Sequence, residues 1–164
     1  MNNQPDKIIV HHTADDSWGK QTAKVNEYHK TKGYTLSSLG FYGGYHILIE
    51  KDGTIFRYRQ DEEEGCHTTG QNTKSMGIAM AGNFSVEWPT QEQEDSLCKQ
   101  LQEWMSRWNI TKEEIYPHRR FAATECPGLK LSDDWSRDLL KPNCCGDTNE
   151  ILEDIIHYIK SKLV

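Results

Sequence analysis

Short apolar segments of strand length, interleaved with segments of helical period, are what most restrict how this chain can fold. Ile8-Ile9-Val10-His11 is brief, β-branched and ended by the polar run Thr13-Ala14-Asp15-Asp16, so it reads as a buried strand. Residues 21–30 have helical character, and Gly33 supplies a stop. A Ser/Gly-rich loop over residues 36–44 leads into residues 45–50, and Asp52-Gly53 separates these from residues 55–58. Two alternating runs joined by Asp-Gly predict a β-hairpin. After a loop over residues 65–74, the small-residue segment 76–81 predicts a further strand.

Thr90 and Gln93 then form a capping box, and Leu97, Leu101, Trp104, Met105 and Trp108 recur at helical spacing behind it. That stripe is core rather than a ligand site. Ile115-Tyr116 predicts a short strand, and residues 133–140 a short helix. Beyond a loop at residues 142–146, Ile151, Leu152, Ile155, Ile156, Ile159 and Leu163 outline an amphipathic helix over residues 149–163. The order β-α-β-β-β-α-β-α predicts an α/β fold in which helices flank a central mixed sheet. At 164 residues the simplest organisation is a single domain over residues 1–164.

Only 35% of the residues are hydrophobic, so the core must be small, yet five Trp and seven Tyr need packing partners and argue against disorder. The formal charge of −6 disfavours phosphate backbones, and no nucleic-acid partner is expected. The acid runs Asp61-Glu62-Glu63-Glu64 and residues 91–95 read as solvated surface. No apolar run is long enough for a bilayer, so no membrane association is expected. The polar start Met1-Asn2-Asn3-Gln4-Pro5-Asp6-Lys7 lacks an apolar secretory core, which predicts synthesis in the cytoplasm without a signal peptide. Five cysteines, an odd number, do not describe a disulfide framework. Cys98 falls in the helical pattern as a small core residue, and Cys144-Cys145 sits in a loop with no nearby ligand pair.

Chemistry concentrates in Tyr116-Pro117-His118 and Glu125-Cys126-Pro127-Gly128, where an imidazole and a thiol lie on an irregular, Pro/Gly-stopped connection. His11 ends the first strand. Two histidines and one cysteine make a three-ligand zinc set with one open position, the arrangement of a catalytic metal. If the strands before His11 and His118 are neighbours, their ends present ligands to one point. His12 faces the other way, because successive strand side chains alternate. Each histidine alone also has a plainer reading as a hydrogen-bonded structural residue, and His29, His46 and His157 are read that way.

Five blocks occur here in one order. They are Val10-His11-His12-Thr13-Ala14, Gly44-Tyr45-His46-Ile47-Leu48-Ile49 with Asp52-Gly53-Thr54-Ile55, and Gly65-Cys66-His67-Thr68-Thr69-Gly70-Gln71-Asn72. Ser75-Met76-Gly77-Ile78-Ala79-Met80-Ala81-Gly82-Asn83-Phe84 follows, then Pro117-His118-Arg119 with Thr124-Glu125-Cys126-Pro127-Gly128. Together, over roughly residues 7–140, they resemble the zinc-dependent N-acetylmuramoyl-L-alanine amidases, which include amidase-type phage lysozymes and peptidoglycan recognition proteins.

That resemblance implies Zn2+ held by His11, His118 and Cys126, with Tyr45 assisting catalysis. It implies a further hydroxyl at Thr124, where some phage members carry a lysine and amidase-active recognition proteins a threonine. His67 and Asn72 match a block near the cleft and are expected to bind substrate. The implied reaction is hydrolysis of the bond between N-acetylmuramic acid and L-alanine in peptidoglycan or a muropeptide, by a monomer. The expected setting is a phage or prophage endolysin that reaches the wall after holin-mediated release. The alternatives are a catalytically weak peptidoglycan-binding protein and a cytoplasmic amidase that recycles muropeptides. Binding to a regulatory protein partner is a third possibility, for which the acidic surface offers no signature.

Overall fold

A computed structural model describes residues 3–140 of the chain, and within them the apolar run around Ile8 becomes β1 (Lys7–His12). Both edges of β1 are paired in parallel. β4 (Ser75–Met80) joins one side with Ile8 opposite Met76 and His11 opposite Ala79. β5 (Ile115–Pro117) joins the other, with Val10 opposite Pro117. β2 (Ile47–Ile49) lies parallel to β4 and antiparallel to β3 (Ile55–Arg57), which completes a mixed sheet of order β3-β2-β4-β1-β5. The central strands read as uninterrupted apolar runs because both faces are covered.

The predicted hairpin is present, with Gly53 at φ +78° in its turn. A Cβ there would lie 2.8 Å from the Glu92 carbonyl oxygen, so the turn packs directly on the start of α2 (Gln91–Trp108). The Thr90–Gln93 capping box forms as the sequence predicts. Leu97, Leu101 and Trp104 are fully buried, with Met105 and Trp108 packed at the margin. Burying each such side chain contributes about 1.5–3 kcal/mol, which fixes this face of the helix to the sheet. Gln93 adds polar ties, donating to the carbonyls of Ile49 at 3.3 Å and Ala81 at 2.8 Å.

α1 (Thr22–Thr31) has no side-chain cap of its own. Its N-terminus is closed from the sheet: the Glu50 carboxylate accepts from the backbone of Gln21 and Thr22, each at 2.9 Å, and from the Thr22 hydroxyl. An anion at this end of a helix satisfies free N–H groups and complements the dipole. The expected helix over residues 133–140 shortens to α3 (Trp135–Asp138), because Asp133 pairs with Arg119 and Asp134 takes the capping position.

The first acid run is not solvated surface throughout. Asp61 is 2% exposed, ion-paired with Arg57 and, at 3.0 Å, with Arg107. Glu63 closes loops by accepting from the backbone of Ser38 at 2.6 Å and Gln60 at 2.7 Å. In the second run Gln93 is buried for the reason given above. Cys98 is buried on α2 but is disulfide-bonded rather than a small apolar thiol; Cys66 and Cys126 are free among the described residues. The expected loop at 142–146 with Cys144-Cys145, the helix over 149–163 and His157 lie outside the described residues. Among the described residues, no helix is long and apolar enough to cross a membrane.

Candidate metal centre

β1 and β5 run side by side in the same direction, so they end together. His11 sits at the end of β1, and His118 opens a single 3-10 turn, His118–Arg120, directly after β5. The chain then returns to place Cys126. Arg119 holds that return in shape: its backbone N–H donates to the Cys126 carbonyl at 2.9 Å, and its guanidinium to the carbonyls of Gly128 at 3.1 Å and Leu131 at 2.6 Å. The Cys126–Pro127 peptide is cis. One ligand atom from each of His11, His118 and Cys126 lies within 4.8 Å of the other two. His11 Nδ1 is 3.7 Å from Cys126 Sγ, and the two imidazole rings are 4.3 Å apart between centroids.

Burial dominates the electrostatics. It holds His11 well below the ordinary histidine range, reinforced by neighbouring His67 and His118, and it lowers His118 as well. Both rings are therefore neutral at pH 7 and carry a free lone pair. Burial also pushes the Cys126 thiol up to about 12, against the hydrogen bond from the His12 backbone and the charge of Arg119. A bound cation reverses that order, because coordination deprotonates a thiol. Two neutral imidazoles and one thiolate suit a borderline-soft divalent ion and leave a position open. This donor set can hold a metal.

Tyr45 lies beside the cluster, 5.1 Å from His11 between ring centroids, and burial raises its phenol above the ordinary range. It stays protonated, a donor rather than a base. The three ligands, Tyr45 and Thr124 share a cavity of about 240 Å³. Thr124 is exposed at its rim, and its hydroxyl oxygen accepts from the Cys126 backbone at 3.2 Å, leaving the O–H free to donate outward. An adjoining cavity of about 480 Å³ extends past His67 and Asn72. Asn72 Oδ1 accepts from the backbone N–H groups of His67 at 2.9 Å and Thr68 at 2.8 Å, so that oxygen braces the loop. His67 is 9% exposed and its Nδ1 lies 3.0 Å from His11 Nε2.

His12 points away as expected, its Nδ1 accepting from Phe84 N–H at 3.1 Å. His46 is structural: Nδ1 accepts from Gly77 N–H at 2.9 Å, and Nε2 lies 2.9 Å from the Glu63 carbonyl. His29 accepts from Gly44 N–H at 3.0 Å but also lines the cleft, stacked on Tyr34 at 4.6 Å. Sequence reasoning did not identify that wall. The spacing of His29 and Tyr34 around the end of α1 carries no signal of its own.

A donor set able to hold a cation stands at the carboxyl ends of neighbouring parallel strands of an α/β fold, with a phenol donor beside it. The N-acetylmuramoyl-L-alanine amidase family model matches residues 1–129, and the chain belongs to that family. It is 33% identical over 125 residues to peptidoglycan-recognition protein SC2 of Drosophila melanogaster, covering 75% of this chain and 68% of that protein. The structure of the N-acetylmuramoyl-L-alanine amidase LysC from Clostridium intestinale is similar at TM-score 0.72 and 36% identity, over 84% of this chain and 86% of that one. The Ph2119 endolysin of a Thermus scotoductus bacteriophage shares the fold at TM-score 0.67 and 20% identity, over 84% of this chain and 86% of that one.

Proposed function

We propose that this protein is a zinc-dependent amidase that cleaves the bond between N-acetylmuramic acid and L-alanine in peptidoglycan. The observation that carries the reading is the convergence of His11, His118 and Cys126 within 4.8 Å, beside a half-buried phenol that stays neutral. The ion would be held by these three side chains and would supply Lewis acidity and a bound water of lowered pKa. Tyr45 would donate its O–H to that water or to the oxyanion of the tetrahedral intermediate. Removing one such donor typically costs about 10²–10³ in rate. Thr124 would assist from the rim with a neutral hydroxyl. Asn72 would brace the wall along which the stem peptide lies.

An intact ligand set with Tyr45 favours cleavage over recognition alone. Similarity to the endolysin amidase LysCS of Clostridium intestinale supports a lytic role; access to the wall through a holin is part of the same proposal. The test is mass spectrometry of purified peptidoglycan after incubation with the protein, with zinc, with chelator, and with zinc restored. Release of free stem peptides beginning with L-alanine, abolished by chelator and recovered with zinc, is expected. Firm binding without release in zinc-replete buffer would replace the enzyme by a recognition protein. Cleavage confined to soluble muropeptides would replace the lytic role by recycling.

A further inference from the structure

His11 uses one ring nitrogen toward Cys126 and the other toward a second imidazole, that of His67. Metal-binding histidines ordinarily give their second N–H to a carboxylate, a carbonyl or water. Here the acceptor is itself a ring with two possible tautomers, so something beyond it must choose the direction of the bond.

Ser75 makes that choice. Its hydroxyl donates to the Gln71 carbonyl at 2.8 Å, which engages its single hydrogen. The same oxygen lies 3.4 Å from His67 Nε2 and faces it as an acceptor. His67 therefore carries its proton on Nε2, and its Nδ1 is bare. His11 Nε2, 3.0 Å from that bare nitrogen, is then the donor, and His11 Nδ1 keeps its lone pair toward the Cys126 thiol. The Thr68 hydroxyl lies 3.0 Å from His67 Nδ1 and 3.4 Å from His11 Nε2, and in this polarity its oxygen can share the His11 Nε2–H. The ring of His67 has no freedom to tip, because a Cβ on Gly65 or on Gly77 would fall 2.5 Å from its Cδ2.

We propose that His67 is a positioning residue: with Ser75 it locks His11 in the tautomer whose Nδ1 lone pair faces the metal position, without itself touching metal or substrate. This rests on the metal reading above and departs from a substrate-binding role for His67, since both its ring nitrogens are engaged inside the protein. Without the relay, part of the His11 population would carry its proton on Nδ1, where it blocks coordination. Loss of such an outer partner typically weakens metal binding by about 10–100-fold.

The test uses the full chain and has two readouts, neither of them catalysis. Nitrogen-15 NMR of the metal-free wild-type protein should show His11 protonated on Nε2 and His67 protonated on Nε2. Zinc affinity, measured by competition with a chromogenic chelator at pH 7, should fall about 10–100-fold in His67→Ala and recover most of that loss in His67→Asn, whose Oδ1 replaces the Nδ1 acceptor. If His67→Ala does not fold, His67→Asn and the wild-type spectrum still decide. His11 protonated on Nδ1 overturns the proposal, as does His67→Ala within about twofold of wild type or His67→Asn no tighter than His67→Ala. A wild-type protein that binds no zinc at all in the chelator competition overturns the metal reading instead, and the spectrum of the metal-free protein still decides the tautomer.

Discussion

Asp61 and His11 are almost equally inaccessible, at 2% and 1% exposure, yet their polar surroundings differ in kind. Around Asp61 the charges cancel locally: Arg57 and Arg107 reach it from two directions, and Asn3 donates to its carbonyl at 3.0 Å. The carboxylate there already faces two guanidinium groups. Around His11 no charge is cancelled, because burial keeps His11, His67 and His118 neutral and Cys126 protonated. Lone pairs converge there without a counter-ion. Buried polar groups are ordinarily satisfied within the protein, so a cluster whose donor atoms face one another marks a place for a cation.

The sharpest way to break this contrast is Cys126→Ser. It exchanges one ligand for a near-isostere that brings a hydroxyl into a buried position, so the metal-free protein should lose about 1–3 kcal/mol of stability. Amidase rate should fall by about 10³-fold or more, since water of ordinary pKa no longer suffices near neutral pH. Denaturant titration and zinc content of the same preparation check both halves. Near-wild-type cleavage in metal-free buffer would remove the metal from the mechanism.

Asp61→Ala should do the reverse. Removing one member of a fully buried pair costs about 3–5 kcal/mol, and of an exposed pair about 0–1. Arg57 and Arg107 are 33% and 49% exposed at their side chains and can turn to solvent, so a value near 2 kcal/mol is expected. Urea midpoints read it, while zinc affinity and rate per folded molecule stay at the wild-type level. A large drop in zinc affinity would mean that the two clusters are coupled.

The contrast was only half visible in the sequence, for a physical reason. Periodicity and capping report local conformation, so β1, the Asp52-Gly53 hairpin and the Thr90-capped α2 were legible from neighbours in the chain. The ligand trio was suggested by residue types at a strand end and a Pro/Gly-stopped turn, and singled out by the resemblance to the amidase family. Asp61 was not, since its burial depends on Arg107, which α2 delivers from far along the chain. Nor were the cap that Glu50 gives to α1 and the bond between His11 and His67, whose partners are 28 and 56 residues apart. A carboxylate or an imidazole looks the same in sequence whether its partner is water or a distant residue.

The smallest expected effect refines the metal region from its rim. Thr124 offers an outward O–H while its oxygen accepts from Cys126 N–H, and it is exposed, so water competes for whatever it donates to. Thr124→Ala should lower kcat by about tenfold, the worth of one solvent-screened hydrogen bond, with KM little changed. Thr124→Ser should restore the rate, because it keeps both functions of the hydroxyl. Tyr45→Phe provides the scale: a half-buried donor beside the metal position typically accounts for about 10²–10³. If Thr124→Ala matched Tyr45→Phe, the rim hydroxyl would be a principal oxyanion donor and exposure would not have weakened it. If Thr124→Ala left kcat unchanged, its role would end at bracing the turn that presents Cys126.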